Sequence, residues 1–301
     1  MNLNCNLCAH NCNIDRNHKL GFCKIDDKIY ISTICVHKGE EPVIGGEKGI
    51  CNVFFNHCNL QCSYCQNFQI SDNHFDLRKS NLDLESVYSK IAKILDCGIN
   101  SLGLVSPTPY IPRIYELVNL LHSRKYFPTI VYNTNAYENV KTILDLESIV
   151  DIYLPDYKYA NNEIAEKYSL ISNYPETALA AIKEMYRQKG SKLILDENGI
   201  AKQGLIIRHL VLPSNIENSK SVLLNIALEI SPKIHISLMS QYYPIFKSNN
   251  HPEINRKLTF DEYNTVVNFM DELGLENGWI QELVSAENYL PDFGDDKVFK
   301  N

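Results

Sequence analysis

Beyond residue 50, apolar positions alternate between short continuous runs and longer stretches at helical spacing, about six times over. The runs Asn52–Phe55, Ser101–Val105, Pro128–Tyr132, Val150–Leu154, Leu205–Leu212 and Ile234–Met239 predict strands. Between them, Leu84, Val87, Tyr88, Ile91, Ile94 and Leu95 recur on one helical face, with Asp83 as N-cap and Gly98 as stop signal. Further helices are expected at Ile114–Leu121, through Val140, Ile143 and Leu144, at Glu176–Gln188, between the last two strands, and at Phe260–Leu273. Uninterrupted apolar strands are covered on both faces, and strict strand–helix alternation implies parallel strands joined by crossover helices. An α/β fold follows. Six units fit either an open doubly wound sheet or an incomplete barrel, and in both the functional residues gather at the C-terminal ends of the strands. Residues 1–48 lack this period and are rich in Cys and Asn, which predicts a small metal-stapled lobe ahead of an α/β unit spanning 49–301.

Composition adds limits. The 301 residues suit one barrel-type domain of ~250 residues plus a small lobe, or two domains. Hydrophobic residues make up 45% and charged residues 22%, enough for a sizeable core. The net charge of -7 and a pI of 5.7 supply no basic field, so neither nucleic acid nor an anionic membrane is an expected partner. No apolar run reaches the ~18 residues of a membrane helix, and the first residues lack the regions of a signal peptide. A soluble cytoplasmic protein is expected.

The unusual count is ten cysteines, nine of them before residue 66. In a chain of this length without an export signal, clustered thiols point to metal or redox chemistry rather than a disulfide framework. Cys58, Cys62 and Cys65 form a C-x3-C-x2-C loop directly after the first predicted strand. Three thiolates hold three irons of a 4Fe-4S cluster and leave the fourth iron open, whereas zinc wants a fourth ligand that the adjacent His57 is poorly placed to give. Cys5, Cys8, Cys12 and Cys23 form a C-x2-C-x3-C-x10-C set, four thiols that close a site for zinc or an iron-sulfur centre, zinc slightly ahead, with His10 or His18 as substitute ligands. In a lobe with few apolar residues, such binding is coupled to folding. Cys35, Cys51 and Cys97 are isolated and expected in the core.

The loop Cys62-Ser63-Tyr64-Cys65-Gln66-Asn67-Phe68, with an aromatic before the last cysteine, resembles the signature of the radical S-adenosylmethionine (SAM) superfamily. Within it the chain is similar, from Cys5 to about Phe293, to pyruvate formate-lyase activating enzyme-related proteins. The segments that carry this are Glu40-Glu41-Pro42, Val105-Ser106-Pro107-Thr108, Tyr132-Asn133-Thr134, Tyr153-Leu154-Pro155-Asp156-Tyr157-Lys158, Arg208-His209-Leu210-Val211-Leu212-Pro213 and Ser237-Leu238-Met239-Ser240-Gln241-Tyr242. The resemblance implies an incomplete (β/α)6 barrel and a 4Fe-4S cluster whose open iron chelates SAM. Reductive cleavage would then give methionine and a 5'-deoxyadenosyl radical that abstracts hydrogen. An electron donor such as flavodoxin or ferredoxin is implied, with a glycyl radical enzyme as candidate protein partner.

The resemblance also places SAM contacts at strand ends: Tyr64, Ser106, Thr108, Asn133, Asp156, Lys158, Arg208 and Gln241. Where many relatives carry Gly-Gly-Glu for the SAM amino group, this chain has Ser106-Pro107-Thr108, which is equally a plain turn. Asn133 stands where related activases tend to have an acid, which weakens a monovalent-cation site and leaves a hydrogen bond to SAM; helix capping is the alternative for it, Thr134, Asp156 and Lys158. Arg208, inside an apolar run, needs a carboxylate partner, with that of SAM favoured over Asp156 or another internal acid. His209 alternates to the other face as a packing residue, and Glu40 and Glu41 are expected in solvent. Most tyrosines are expected half-buried with their hydroxyls at the rim. The expected activity is hydrogen abstraction as an activase, or alternatively on a small molecule or peptide; a non-enzymatic iron-sulfur or zinc protein is the remaining class.

Overall fold

The computed structural model describes residues 4–77, 80–283, 290–295 and 297–299. Its strands are β1 (Ile31–His37), β2 (Ile50–Phe55), β3 (Ser101–Val105), β4 (Thr129–Thr134), β5 (Ile152–Pro155), β6 (Ile194–Leu195), β7 (Ala201–Leu210), β8 (His235–Met239) and β9 (Gly278–Ile280). The α-helices are α1 (Pro42–Gly45), α2 (Phe68–Ser71), α3 (Leu84–Leu95), α4 (Ile111–Ser123), α5 (Val140–Asp145), α6 (Asn162–Ser169), α7 (Tyr174–Lys189), α8 (Ile216–Glu229) and α9 (Phe260–Glu272).

The strands form one sheet in the order β1-β2-β3-β4-β5-β7-β8-β9, with β6 as an antiparallel flap on β7. From β2 to β9 every pairing along this path is parallel. β1 and β9 are not paired with each other, so the sheet curls without closing, an incomplete barrel. Six parallel strands, β2, β3, β4, β5, β7 and β8, are each followed by helix, and all residues of β2 and β3 are buried, as two-sided coverage requires.

Local chemistry sets the boundaries. The Asp83 carboxylate accepts the Ser86 backbone N–H at 2.8 Å and starts α3, while Gly98, at φ +84°, lets the chain turn out of it toward β3. Thr259 and Glu262 form a reciprocal capping box on α9. β1 escaped the hydrophobic pattern because polar and apolar residues mix in Ile-Ser-Thr-Ile-Cys-Val-His; it pairs antiparallel with β2, so the sheet runs across residue 48. Edge strand β9 and the short helix α6 also carry too few apolar residues to be read from sequence.

Eight tyrosines, among them Tyr132, Tyr153, Tyr159 and Tyr174, are fully buried, where rim positions were expected. Their hydroxyls find internal partners instead: Tyr110 donates to Asn56 O at 2.7 Å and Tyr174 to Asp156 O at 2.7 Å. Cys51 is buried and Cys35 half-buried, but Cys97 is exposed just past the end of α3, its thiol donating to Lys93 O.

The N-terminal segment is sewn to the barrel at the start of α5. Asn139 Nδ2 donates to Asn6 O, Cys8 O and Asn11 Oδ1, and Thr142 Oγ1 donates to Leu7 O at 2.8 Å. Arg16 adds hydrogen bonds to Pro109 O and Asp26 O.

Candidate active site

The C-terminal ends of the parallel strands surround a cavity of about 410 Å3. Cys58, Cys62 and Cys65 line it, with Tyr64, Ser106, Asn133, Asp156, Lys158, Arg208 and Gln241. Of the sequence-derived contacts only Thr108 lies elsewhere.

The loop after β2 positions the thiols. His57 sits at its start with φ +60°, and its ring bridges Cys23 O and Phe75 O at 2.9 and 3.1 Å, so it is a brace and not a ligand. Each sulfur meets a hydrogen-bonding group. Asn135 Nδ2 donates to Cys58 Sγ at 3.3 Å and the Leu60 N–H at 3.4 Å; Ser169 Oγ donates to Cys62 Sγ at 3.0 Å; Ser71 Oγ lies 3.1 Å from Cys65 Sγ. Tyr64, Tyr159 and Ser169 continue this as a chain of hydroxyls, 2.6 and 2.7 Å apart, ending on Cys62. Asn135, Ser71 and Ser169 carry no motif that betrays them, although Asn135, one residue past β4, lies where strand-end logic looks.

Burial pushes the Cys58 thiol up to about 12 and the Cys65 thiol up to about 11. A metal that takes these sulfurs as thiolates must therefore bring the compensating charge. Lys158 contributes part: it reaches all three thiols electrostatically and pairs with Asp156 at 2.6 Å. Burial alone would lower its ammonium, but Asp156 and the thiols outweigh that and hold it above the usual lysine value. Among the described residues no three His, Cys, Asp or Glu side chains are arranged to hold a single metal ion. Three cysteines in one loop that each ligate a different iron are the donor set of a 4Fe-4S group.

Asn133 presents a polar side chain on the wall. Its backbone O accepts the Ser106 N–H at 3.0 Å, closing a turn in which Ser106 has φ +54°, while its amide enters no hydrogen bond among the described residues. Gln241 is already engaged: Gln281 Nε2 donates to its Oε1 at 2.9 Å and Gln66 Nε2 to its O at 2.6 Å.

Three expectations need correction. Thr108 lies outside this cavity: in the 3-10 turn Thr108–Tyr110 its hydroxyl donates to buried Glu138 at 2.6 Å, and it lines a second, smaller cavity. Glu40 and Glu41 are not in solvent; the turn from β1 into α1 folds them over the barrel, leaving their side chains 8% and 5% exposed. Arg208 meets these two residues: Nε donates to Glu41 Oε1 at 2.8 Å, and Nη2 donates to Glu41 Oε2 at 2.6 Å and to Glu40. Burial would push Glu40 up, but the Arg208 charge, with His37 and hydrogen bonds from Arg208 and Asn52, holds it well below the usual carboxylate range. His209 is buried as expected, between Tyr157 O at 2.7 Å and Ser219 Oγ at 2.9 Å.

Cys5, Cys8, Cys12 and Cys23 converge on a second cavity of about 20 Å3, which Asn59, Thr108 and Pro109 from the loops after β2 and β3 also line. Burial and the neighbouring thiols push Cys8 up to about 12. His10 lines the cavity but uses Nε2 on Asn59 O at 2.8 Å, and exposed His18 bonds Asp15 instead.

The parallel strands thus form an incomplete barrel in which β2 leads into a three-thiol loop open to a polar strand-end cavity. The chain belongs to the radical SAM superfamily: the Radical SAM superfamily sequence pattern matches residues 52–195. An uncharacterised protein of Methanocaldococcus jannaschii is 31% identical over 279 residues, covering 91% of this chain and 76% of that protein. The structure of Streptococcus suis SuiB bound to S-adenosylmethionine matches with TM-score 0.51 at 14% identity, over 76% of this chain and 50% of that one. HydG, a maturase of the [FeFe]-hydrogenase, matches with TM-score 0.50 at 12% identity, over 75% and 51%. These likenesses are of fold, and the chain spans about half the length of those solved proteins. No described helix is long and apolar enough to cross a membrane.

Proposed function

We propose that this protein is a radical SAM enzyme in which Cys58, Cys62 and Cys65 hold three irons of a 4Fe-4S cluster and the adjoining cavity takes SAM. The observation that carries this is three sulfurs, each with its own hydrogen-bonding group, on the wall of one strand-end cavity. When bound, cluster and SAM supply one-electron cleavage of the sulfonium and abstraction of a substrate hydrogen, chemistry that side chains do not perform. The chain's residues do the rest. Asn133 offers an unused amide donor and acceptor to SAM, and the Lys158–Asp156 pair offers one charge of each sign beside the sulfurs. Tyr64, only 5% exposed and packed against Tyr168 and Tyr242, keeps water from the cluster loop. Anaerobic protein with reductant and SAM should produce 5'-deoxyadenosine and methionine; wild-type protein carrying iron that produces neither would refute the reading.

The finer version is an activase that abstracts hydrogen from a backbone glycine of a glycyl radical enzyme, with flavodoxin or ferredoxin as electron donor. The motifs between Cys5 and Phe293 support it. A glycyl radical signal on such an enzyme from the same organism tests it, against hydrogen abstraction from a small molecule or peptide. We also propose a second metal at Cys5, Cys8, Cys12 and Cys23, supported by their convergence on one cavity. Four thiols close a site for zinc or for an iron-sulfur centre, and iron and zinc per chain, in the wild type and in a Cys5→Ala/Cys12→Ala variant, decide between them. A cytoplasmic setting accords with the many free thiols.

A further inference from the structure

One wall of the cavity carries charge that its own residues do not balance. Asp156 is matched by Lys158, but Arg208 faces two carboxylates, Glu40 and Glu41. Among the described residues one negative charge is left over in a buried place, which is costly unless something cationic meets it. The arrangement is built, not incidental. Asn52 Nδ2 donates to Glu40 Oε1 at 2.8 Å, and Asn52 fits only because residue 103 is glycine: a Cβ there would stand 1.9 Å from Asn52 Oδ1.

A second observation points to a ligand. His37 lines the same cavity, is 8% exposed, and its Nδ1 has no hydrogen-bond partner among the described residues. It lies within electrostatic reach of Glu40, Glu41 and Arg208. Carboxylate oxygens only accept, and a neutral imidazole with its proton on Nε2 offers Nδ1 as a further acceptor. Phe54, Trp279 and Phe299 line the cavity too, Phe299 with its ring centroid 4.1 Å from that of His37. Acceptors with a surplus negative charge, framed by aromatic faces, suit a cation rich in N–H donors.

We propose that Glu40, Glu41 and His37, framed by Phe54, Trp279 and Phe299, recognise a substrate that presents a primary ammonium or guanidinium group. This rests on the cavity being the radical SAM active site. In it the Arg208 guanidinium fixes the two carboxylates, and the incoming cation takes the remaining acceptors.

The test is calorimetric titration of the anaerobic, cluster-reconstituted protein with SAM bound. The probes are cadaverine, agmatine and the lysine side chain of N-acetyl-lysine amide, with glutarate as the anionic counterpart. At least one cation should bind with Kd below about 1 mM, the amide binding best if the natural source is a polypeptide. Glutarate should not bind. Glu40→Gln, which leaves the Arg208–Glu41 pair intact, should weaken the cation at least tenfold, while SAM affinity stays within twofold. The proposal is overturned if no cation binds, if glutarate binds as well as cadaverine, or if Glu40→Gln weakens only SAM. The cadaverine–glutarate comparison decides on wild-type protein alone should the variant misfold. Loss of the SAM-induced change in the cluster signal would instead strike the active-site reading itself, so the two failures are distinguishable.

Discussion

Replacing Arg208 by Met keeps an unbranched apolar stem and deletes the charge. The guanidinium makes two hydrogen bonds to Glu41, at 2.8 and 2.6 Å, and one to Glu40, and all three side chains are at least nine-tenths buried. The variant leaves both carboxylates without a cation. Removing one partner of a buried pair costs about 3–5 kcal/mol. With a urea slope of about 3 kcal/mol/M for a chain this size, the unfolding midpoint should fall by roughly 1–1.7 M at pH 7. The pH dependence carries the sharper signature. In the wild type Glu40 is held below its unfolded value, so its stabilisation is present above the ordinary carboxylate pKa and lost as pH falls through and below it. In the variant burial, the largest influence on Glu40, is opposed only by His37 and Asn52 and raises the carboxylates, so stability is gained as pH falls from 7 toward 5. The gap between the two proteins should narrow on acidification, and adding Glu40→Gln and Glu41→Gln to Arg208→Met should recover most of the loss. Urea unfolding followed by circular dichroism at pH 7 and pH 5 measures this. A cost below about 1 kcal/mol, the value of a solvated surface pair, would refute the buried-triad account.

Thr108→Val should cost about 1–3 kcal/mol by stripping a donor from buried Glu138, seen as a lower melting temperature, with SAM affinity unchanged; weakened SAM binding would return Thr108 to the site. His209 is driven down to about 4 by burial, so the unfolded chain binds its proton first as pH falls below ~6.5. Stability is therefore lost between about pH 6.5 and 4, by up to ~3 kcal/mol, and His209→Gln should flatten that slope in urea midpoints. Ser169→Ala removes the hydroxyl that donates to Cys62 Sγ and should make the cluster harder to reduce. A drop of roughly 20–60 mV, equivalent to about 0.5–1.4 kcal/mol, is expected in a redox titration, and an unchanged potential would show that this bond does not tune the cluster.

The strands and helices that turn about a buried core were legible because their periodicity is forced by burial. Ser101–Val105 and Leu84–Leu95 match the expected bounds residue for residue. The three-thiol loop was legible because metal ligation imposes spacing on nearby residues. What stayed hidden depends on long-range contact. Nothing near Glu40 and Glu41 announces that Arg208, 167 residues beyond Glu41, will bury them, and two adjacent acids beside a proline read as surface. Ser169 and Asn135 are polar residues like many others until the fold brings them 3.0 and 3.3 Å from the sulfurs. β1 was missed because an edge strand with one covered face has no continuous apolar run.

Electron paramagnetic resonance of the anaerobic, reduced protein with and without SAM tests the central claim most directly. The account predicts a reduced 4Fe-4S signal that changes when SAM is added and disappears when Cys58, Cys62 and Cys65 are replaced by Ala. A signal indifferent to SAM, or one that survives loss of the three cysteines, would contradict it.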